Sequence, residues 1–500
     1  MEEHQDLPGV RLEKLNKLKA LGVNPYPYRF AFTHRAPQVL EQGEVLIQSA
    51  QEVALAGRLV ALRRQGKAAF AHLKDQQARL QLYLRQDELG PAAFEAFGLL
   101  DLGDYVGVHG TMMRTKLGEL TLRVKRLEVL AKAIRPLPVP KVEEHEGKQV
   151  VHDAVHDVEF RYRQRYADLA LNDNVARVFQ ARTRIVHEVR GYLVENGFLE
   201  VETPILQTLY GGAAAMPFTT QHRALDMPLY LRIATELYLK RLVVGGLDRV
   251  FEIGKNFRNE GLDRSHNPEF TMVEFYQAYA DYTDMMAHFE AIYERCALAL
   301  HGSTRFTYQG VELDVRRPWQ RLTMQEALRT LGEVDVAALS DAHLAQELQR
   351  RGLELEGGYV RGLAIAALFE ALCEPQLVQP VFITDYPAET TPLCKAHRSQ
   401  PGLVERFEPY IATLEVGNAY SELNDPLEQK RLFEEQVLRR QGGDLEAQPY
   451  DADFLRAMEY GMPPMGGVGL AIDRMTMLLT NQHSIRDVLL FPTMKPEAGT

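Results

Sequence analysis

The residues best suited to do chemistry fall in three short stretches. The first is Phe257-Arg258-Asn259-Glu260, followed by a polar run from Gly261 to Pro268 and by Glu269 to Tyr279. It reads strand, loop, strand. Period two puts Thr271, Val273 and Phe275 on one face of the second strand, and Phe270, Met272, Glu274 and Tyr276 on the other. Charges on one face of an apolar hairpin must be either solvated or paired. A solvated hairpin does not explain Phe270 and Met272 among the charges. The second stretch is Arg406 to Glu422. A turn at Ala412-Thr413 would set Tyr410 opposite Glu415 and make Glu408 a diagonal neighbour of Glu415. Two carboxylates that close repel unless a cation lies between them, and Mg²⁺ bridging to phosphate suits such a pair. The third is Gly466-Gly467-Val468-Gly469-Leu470-Ala471-Ile472-Asp473-Arg474, a strand running into the apolar helix Met475–Leu479. Small residues there admit a ligand, and an arginine at a helix start suits a phosphate.

Parity raises one difficulty. Asn418, Tyr420 and Glu422 alternate with each other, but an unbroken strand would point them away from the face that holds Glu415. Either they serve another purpose or one residue is absorbed between the sets. Gly417 is the natural place, because glycine adopts bulge geometry at least cost. The expectation is a break in pairing at 416–418. Two further elements are blander. Tyr210 to Phe218 is a small-residue loop, and Thr235 caps a helix opening with Glu236, which by itself is ordinary dipole chemistry.

The elements that must carry these residues read as a multidomain α+β chain. Residues 1–50 form a helical extension, with leucines at 12, 15, 18 and 21 on one helix face. Within 51–135, strands at Val53–Leu62, Ala68–Asp75 and Ala78–Arg85, a helix over Asp87–Leu100, and strands at Asp104–Met113 and Glu119–Leu130 follow the order of a five-stranded OB-fold barrel. Such barrels bind single-stranded nucleic acid on strands two and three. There Phe70 and His72 share a face, as do Arg79, Gln81 and Tyr83. Residues 136–157 form a linker that opens with alternating prolines. His152 and His156 have a spacing that can chelate a metal, but polar linkers collect such residues by chance, and no metal is assigned to them. Residues 158–500 form a large domain on an antiparallel sheet with flanking helices, with 310–400 a largely helical insertion.

Composition excludes several classes. With 46% hydrophobic and 25% charged residues the chain is globular rather than disordered. No apolar run is long enough to span a bilayer and no secretory signal is visible, so no membrane association and a cytoplasmic location are expected. Cys296, Cys373 and Cys394 are few and far apart, which leaves neither a disulfide framework nor a cysteine zinc site. Net charge is −11, yet 51–135 hold 14 Lys and Arg against 9 Asp and Glu. A basic module on an acidic body points to local contact with a polyanion such as RNA.

Together these pieces resemble the class II aminoacyl-tRNA synthetases. Gly197 to Pro204 looks like their motif 1, Phe257 to Glu260 with the following loop and strand like motif 2, and Gly467 to Arg474 like motif 3. The barrel narrows the likeness to the lysine, aspartate and asparagine subgroup. Gly211 to Ala215, Glu236 to Leu242, Arg161 to Tyr166 and Gly417 to Asn424 resemble the bacterial lysyl-tRNA synthetases. The resemblance implies ATP, L-lysine and a lysine-specific tRNA as partners, Mg²⁺, and a homodimer formed through motif 1. It implies catalytic roles for Arg258 and Arg474 on the α- and γ-phosphates, with Phe270 stacked on adenine and Glu260, His266 and Asn267 completing the ATP site. Glu408 and Glu415 would hold the metal and contact ATP. Lysine would meet Gly212, Glu236, Arg258, Glu274, Tyr276, Asn418, Tyr420 and Glu422. Arg64, Phe70 and Gln81 would read the anticodon. Two departures stand out: Ala471 replaces a common glycine, and Thr235 a common proline.

An aspartate- or asparagine-specific enzyme would need a basic substrate pocket where this chain offers Glu274 and Glu422. A protein-lysylating paralogue would lack the barrel. A non-catalytic derivative should have lost Arg258, Arg474 or the Glu408–Glu415 pair, and all four are present.

Overall fold

The computed structural model describes residues 7–76, 78–138, 141–145, 148–152, 157–355, 358–444 and 447–497. The chain divides into two compact units, Met1–Ala176 and Arg177–Thr500.

The first unit contains a closed barrel. Its strands, in spatial order, are Glu52–Gln65, Ala68–Asp75, Ala78–Arg85, Leu120–Ala131 and Tyr105–Arg114. Alternation builds it: Val53, Leu55, Ala69, Ala71, Leu73, Leu80, Leu82, Leu84, Val106, Val108, Leu122 and Val124 are buried and pack together inside. The expected helix over Asp87–Leu100 is two helices, Gln86–Leu89 and Pro91–Gly98. Gly90, at φ 82°, ends the first, and Pro91 opens the second. The expected linker also contains structure. Lys141–His145 pairs antiparallel with Lys148–His152, and this stretch is rich in strand-favouring valine.

In the second unit a mixed sheet runs Gln320–Thr323, Val381–Pro387, Leu403–Ile411, Gly417–Ser421, Met465–Ala471, Glu269–Ala278, Arg249–Phe257, Leu199–Glu200. The six central strands are antiparallel, and both end pairs are parallel. One face is sealed by apolar side chains, including Phe251, Val273, Phe275, Phe407, Val468 and Leu470, packed against Phe289 and Ile292 of the helix Tyr282–His301 and Met475 of the helix Ile472–Leu479. The opposite face is free to line a cavity. Residues 310–400 are not a simple helical insertion. Helices occupy Met324–Thr330, Asp341–Arg351 and Arg361–Leu372, but Gln320–Thr323 and Val381–Pro387 are strands of the main sheet. Val381–Pro387 is buried at every position, so it lacks the alternation that marks a half-exposed strand.

Candidate active site

Every residue assigned above to lysine, ATP or metal lines one cavity of about 350 Å³ on the free face of the sheet. Its framework is the motif 2 hairpin. Arg249–Phe257 pairs with Glu269–Ala278 with Glu252 opposite Glu274, so Phe270, Met272, Glu274 and Tyr276 face the cavity while Val273 and Phe275 enter the core.

The parity difficulty resolves as a break. The turn is at Ala412 and Thr413, both at positive φ, and Tyr410 lies opposite Glu415. Beyond it Arg406 pairs with Tyr420 and Phe407 with Ala419, a register one residue out of step. Val416 interrupts the strand, is fully buried, and is held by N–H donation to the Pro409 carbonyl at 2.9 Å. Glu415, Asn418, Tyr420 and Glu422 thereby all reach the cavity. Gly417 permits this: a Cβ there would meet the Gly469 carbonyl at 2.6 Å and the Phe289 ring at 2.7 Å.

One end of the cavity is acidic and deeply buried. Glu236, Glu274 and Glu422 are 5%, 4% and 1% exposed. Glu274 accepts the Thr235 backbone N–H at 3.0 Å, the Asn256 amide at 3.3 Å and the Tyr276 hydroxyl at 3.2 Å. A proline at 235 could not supply the first of these. Burial still raises the Glu274 carboxyl above the ordinary range, and the Glu236 charge adds to the rise. Glu422 is raised further by burial, with Lys240 opposing. Glu236 accepts the Tyr420 hydroxyl at 2.7 Å and pairs with Lys240 one helical turn along. Gly212, at φ 87°, brings the small-residue loop against Glu236.

The other end is cationic. The Arg258 guanidinium lies 5.1 Å from the centre of the Phe270 ring. Arg474 donates to the Glu415 carbonyl at 2.5 Å, to its carboxylate at 3.2 Å, and approaches His266 at 3.2 Å. His266 is braced by Asp263 at 2.8 Å; burial raises the Asp263 carboxyl, but His266 and the N–H groups of Ser265 and His266 together outweigh it and hold the carboxyl down at about 2. Between the two ends, Glu408 accepts the hydroxyls of Tyr386 and Tyr410, each at 2.8 Å, and pairs with Arg406 at 2.5 Å.

The chain's segment 157–495 matches the family model for class II tRNA synthetases of the D, K and N type, and 53–130 matches the model for OB-fold nucleic-acid-binding anticodon domains. It is 51% identical to a lysine–tRNA ligase of Moorella thermoacetica, over 99% of both chains. It is 48% identical to one from Pelotomaculum thermopropionicum, over 99% of this chain and 96% of that one. The chain belongs to the lysine–tRNA ligase family.

On the barrel of this synthetase the structure separates the three sequence-assigned anticodon residues. Phe70 and Gln81 share the outer face. The Phe70 ring lies 4.9 Å from that of Tyr83, and Gln81 donates to Glu119 at 2.6 Å. Arg64 is elsewhere: it donates to the carbonyls of Phe97 and Leu100, at 3.1 and 2.9 Å, at the end of the Pro91–Gly98 helix. The residue opposite Phe70 is the exposed Arg63. An irregularity between Leu59 and Ala61 shifts the parity of the first strand and sends Arg63 to the outer face. The His152–His156 pair lies outside the residues whose side chains are described.

Sequence reasoning gave no role to three residues of the synthetase site. Arg406 lies two residues from Glu408 on one strand face, so strand parity could have found it. Lys240 lies one helical turn from Glu236, which is also a readable signal. Asp473 accepts the Thr271 N–H at 2.7 Å and pairs with Arg182 at 2.6 Å, tying the start of the Arg474 helix to motif 2. Nothing in local spacing signals that contact.

Proposed function

We propose that this synthetase activates L-lysine with ATP to lysyl-adenylate and pyrophosphate, then passes lysine to the 3′ end of its tRNA. The observation that carries this reading is a single cavity with three buried carboxylates at one end and two arginines at the other. A lysine substrate needs acidic partners for its two ammonium groups. Glu236 and the Gly212 carbonyl suit the α-ammonium, and Glu274, Tyr276 and Glu422 the ε-ammonium, with Tyr420 orienting Glu236. Arg258 and Asn418 then hold the substrate carboxylate beside the α-phosphate. That carboxylate is already ionised and needs no general base, so the chain's contribution is positioning and charge neutralisation. Arg258 faces the charge that develops at the α-phosphate, and Arg474 holds the departing pyrophosphate. Phe270 offers a stacking face to adenine, with Glu260, His266 and Asn267 around the nucleotide.

Glu408 and Glu415 fit Mg²⁺. Among the described residues no cluster of three or more His, Cys, Asp or Glu could form a metal cage. Two hard oxygen donors suit an ion that completes its shell with water and phosphate oxygens, and when bound it supplies neutralisation of phosphate charge. Phe70, Tyr83, Gln81 and Arg63 form the face we assign to the anticodon. Exposed Leu199 in motif 1, with Ile205 and Leu206 just after it, supports an isologous homodimer. Among the described residues no helix is long and apolar enough to cross a membrane, and we place the enzyme in the cytoplasm, with its tRNA.

ATP–pyrophosphate exchange with each standard amino acid in turn tests the assignment. Lysine alone should support strong exchange, and equal exchange with aspartate or asparagine would defeat it.

A further inference from the structure

The acidic end of the cavity holds a charge that the substrate assignments leave unused. Lys240 is 1% exposed, in the helix Glu236–Val244. Its ammonium pairs with Glu236 on its own helix and with Glu422, which follows the strand Gly417–Ser421. It lies 6.0 Å from the Tyr276 ring centre and 5.4 Å from that of Tyr420. Glu274 and the buried Cys394 thiol are further titratable groups that act on the Lys240–Glu422 pair.

A plain structural ion pair is the simplest reading of such a lysine. It fits poorly here. The same helix already buries Leu237, Leu239 and Val243 in the core, and a buried ion pair is a weak source of stability compared with apolar packing. The two carboxylates it joins are also the ones assigned to opposite ends of the substrate. Counting formal charges, Glu236, Glu274 and Glu422 with Lys240 leave −2. Lysine brings two ammonium groups to this end, while its carboxylate is met by Arg258.

We propose that Lys240 is a specificity-determining positioning residue: it fixes Glu236 and Glu422 relative to each other and sets the acidic end to a net charge of −2, the complement of an amino acid with two ammonium groups. The inference rests on the assignment of those glutamates to lysine. Without Lys240, a proton must take its place on one of three crowded buried carboxylates. A carboxyl that carries a proton no longer demands an ammonium partner, so an uncharged side chain of similar length gains ground.

The test is pyrophosphate exchange by the full-length enzyme with lysine and with norleucine, which matches lysine in shape but lacks the ε-ammonium. Lys240→Met should raise the KM for lysine by at least about tenfold, leave the KM for ATP within about twofold, and cut the preference for lysine over norleucine by about tenfold or more. Lys240→Gln keeps hydrogen-bond donors and polarity and should show the same loss of preference if the methionine variant does not fold. Lys240→Arg, which keeps the charge, should restore the preference. Wild-type preference in Lys240→Gln, or a fall in melting temperature with unchanged lysine KM, would overturn the proposal. Glu422→Gln separates the two layers: unchanged lysine KM in that variant would defeat the pocket assignment itself.

Discussion

The acidic end of the catalytic cavity and the outer face of the barrel both gather charged and aromatic side chains, but they hold them in opposite ways. In the cavity the carboxylates of Glu236, Glu274 and Glu422 are out of water and pinned by Tyr420, Thr235, Asn256 and Lys240. On the barrel, Gln81 and His72 share the exposed Glu119, at 2.6 and 3.4 Å, and Arg63 is exposed. A buried charge costs several kcal/mol if left alone, so each must be partnered before the substrate arrives. An exposed one costs little, and its partners are easily exchanged. A cavity organised in this way suits a small, invariant ligand, as proposed here. The barrel face can rearrange around nucleotides that bring their own shape.

The sharpest break in this contrast is Glu274→Gln. The lysine ammonium would lose a desolvated charged partner, and lysine activation should weaken by roughly 2–5 kcal/mol. Pyrophosphate exchange at varied lysine measures it, and the KM for ATP should stay put. Near-normal lysine KM would mean the buried carboxylate is structural. Phe70→Ala should act only through the tRNA. Losing one stacking platform is worth roughly 1–3 kcal/mol in tRNA charging, with exchange unchanged. Equal loss in both assays would show that Phe70 supports the fold.

Neighbouring arginines sharpen the contrast within the barrel itself. Arg63→Ala should lower charging by about 1 kcal/mol and leave thermal stability alone, as expected of an exposed cation. Arg64→Ala removes two bonds to helix-terminal carbonyls and should cost about 1 kcal/mol of barrel stability. Thermal melts set beside charging assays distinguish them. The reverse pattern would return Arg64 to the RNA face.

These two arginines also mark where the sequence stops being legible. Strand alternation identified the motif 2 face correctly, because both hairpin strands are half-buried and regular. It also led to the expectation of a break near Gly417 if both sets of residues share one site, and the register change at Val416 supplies it. Alternation failed in the first barrel strand, because the irregularity near Val60 leaves no mark in residue type and Arg63 and Arg64 look alike. It failed at Val381–Pro387, where burial on both faces erases the pattern. Gly90-Pro91 is a readable breaker inside the expected barrel helix, and the helix divides there. The Asp473–Thr271 bond joins residues 202 apart and has no local signature.

A third kind of environment lies between these extremes, at Glu374. It is half-buried near Glu408 and Glu415, the proposed metal pair, and its carboxyl oxygen is 2.8 Å from the Tyr410 hydroxyl. That hydroxyl also lies 2.8 Å from Glu408, and one proton cannot serve two carboxylates at once. Burial, with the charges of Glu370, Glu408 and Glu415, pushes Glu374 up to about 7 against the Tyr410 bond. A protonated Glu374 can donate to Tyr410 while Tyr410 donates to Glu408. The folded state thus holds this proton more tightly than the unfolded chain does. The stabilising contribution is complete below the ordinary glutamate range and is lost as pH rises through about 7. Glu374→Gln cannot ionise. It should match wild type or fall slightly below it at pH 5, and exceed it at pH 8 without Mg²⁺ or ATP. A shift of this size would be worth ~3 kcal/mol if unscreened, and partial solvation should reduce it to about 1 kcal/mol. Thermal melts of both proteins at the two pH values measure the difference. An equal gap at both would mean that Glu374 is ionised throughout and that Tyr410 serves it rather than Glu408.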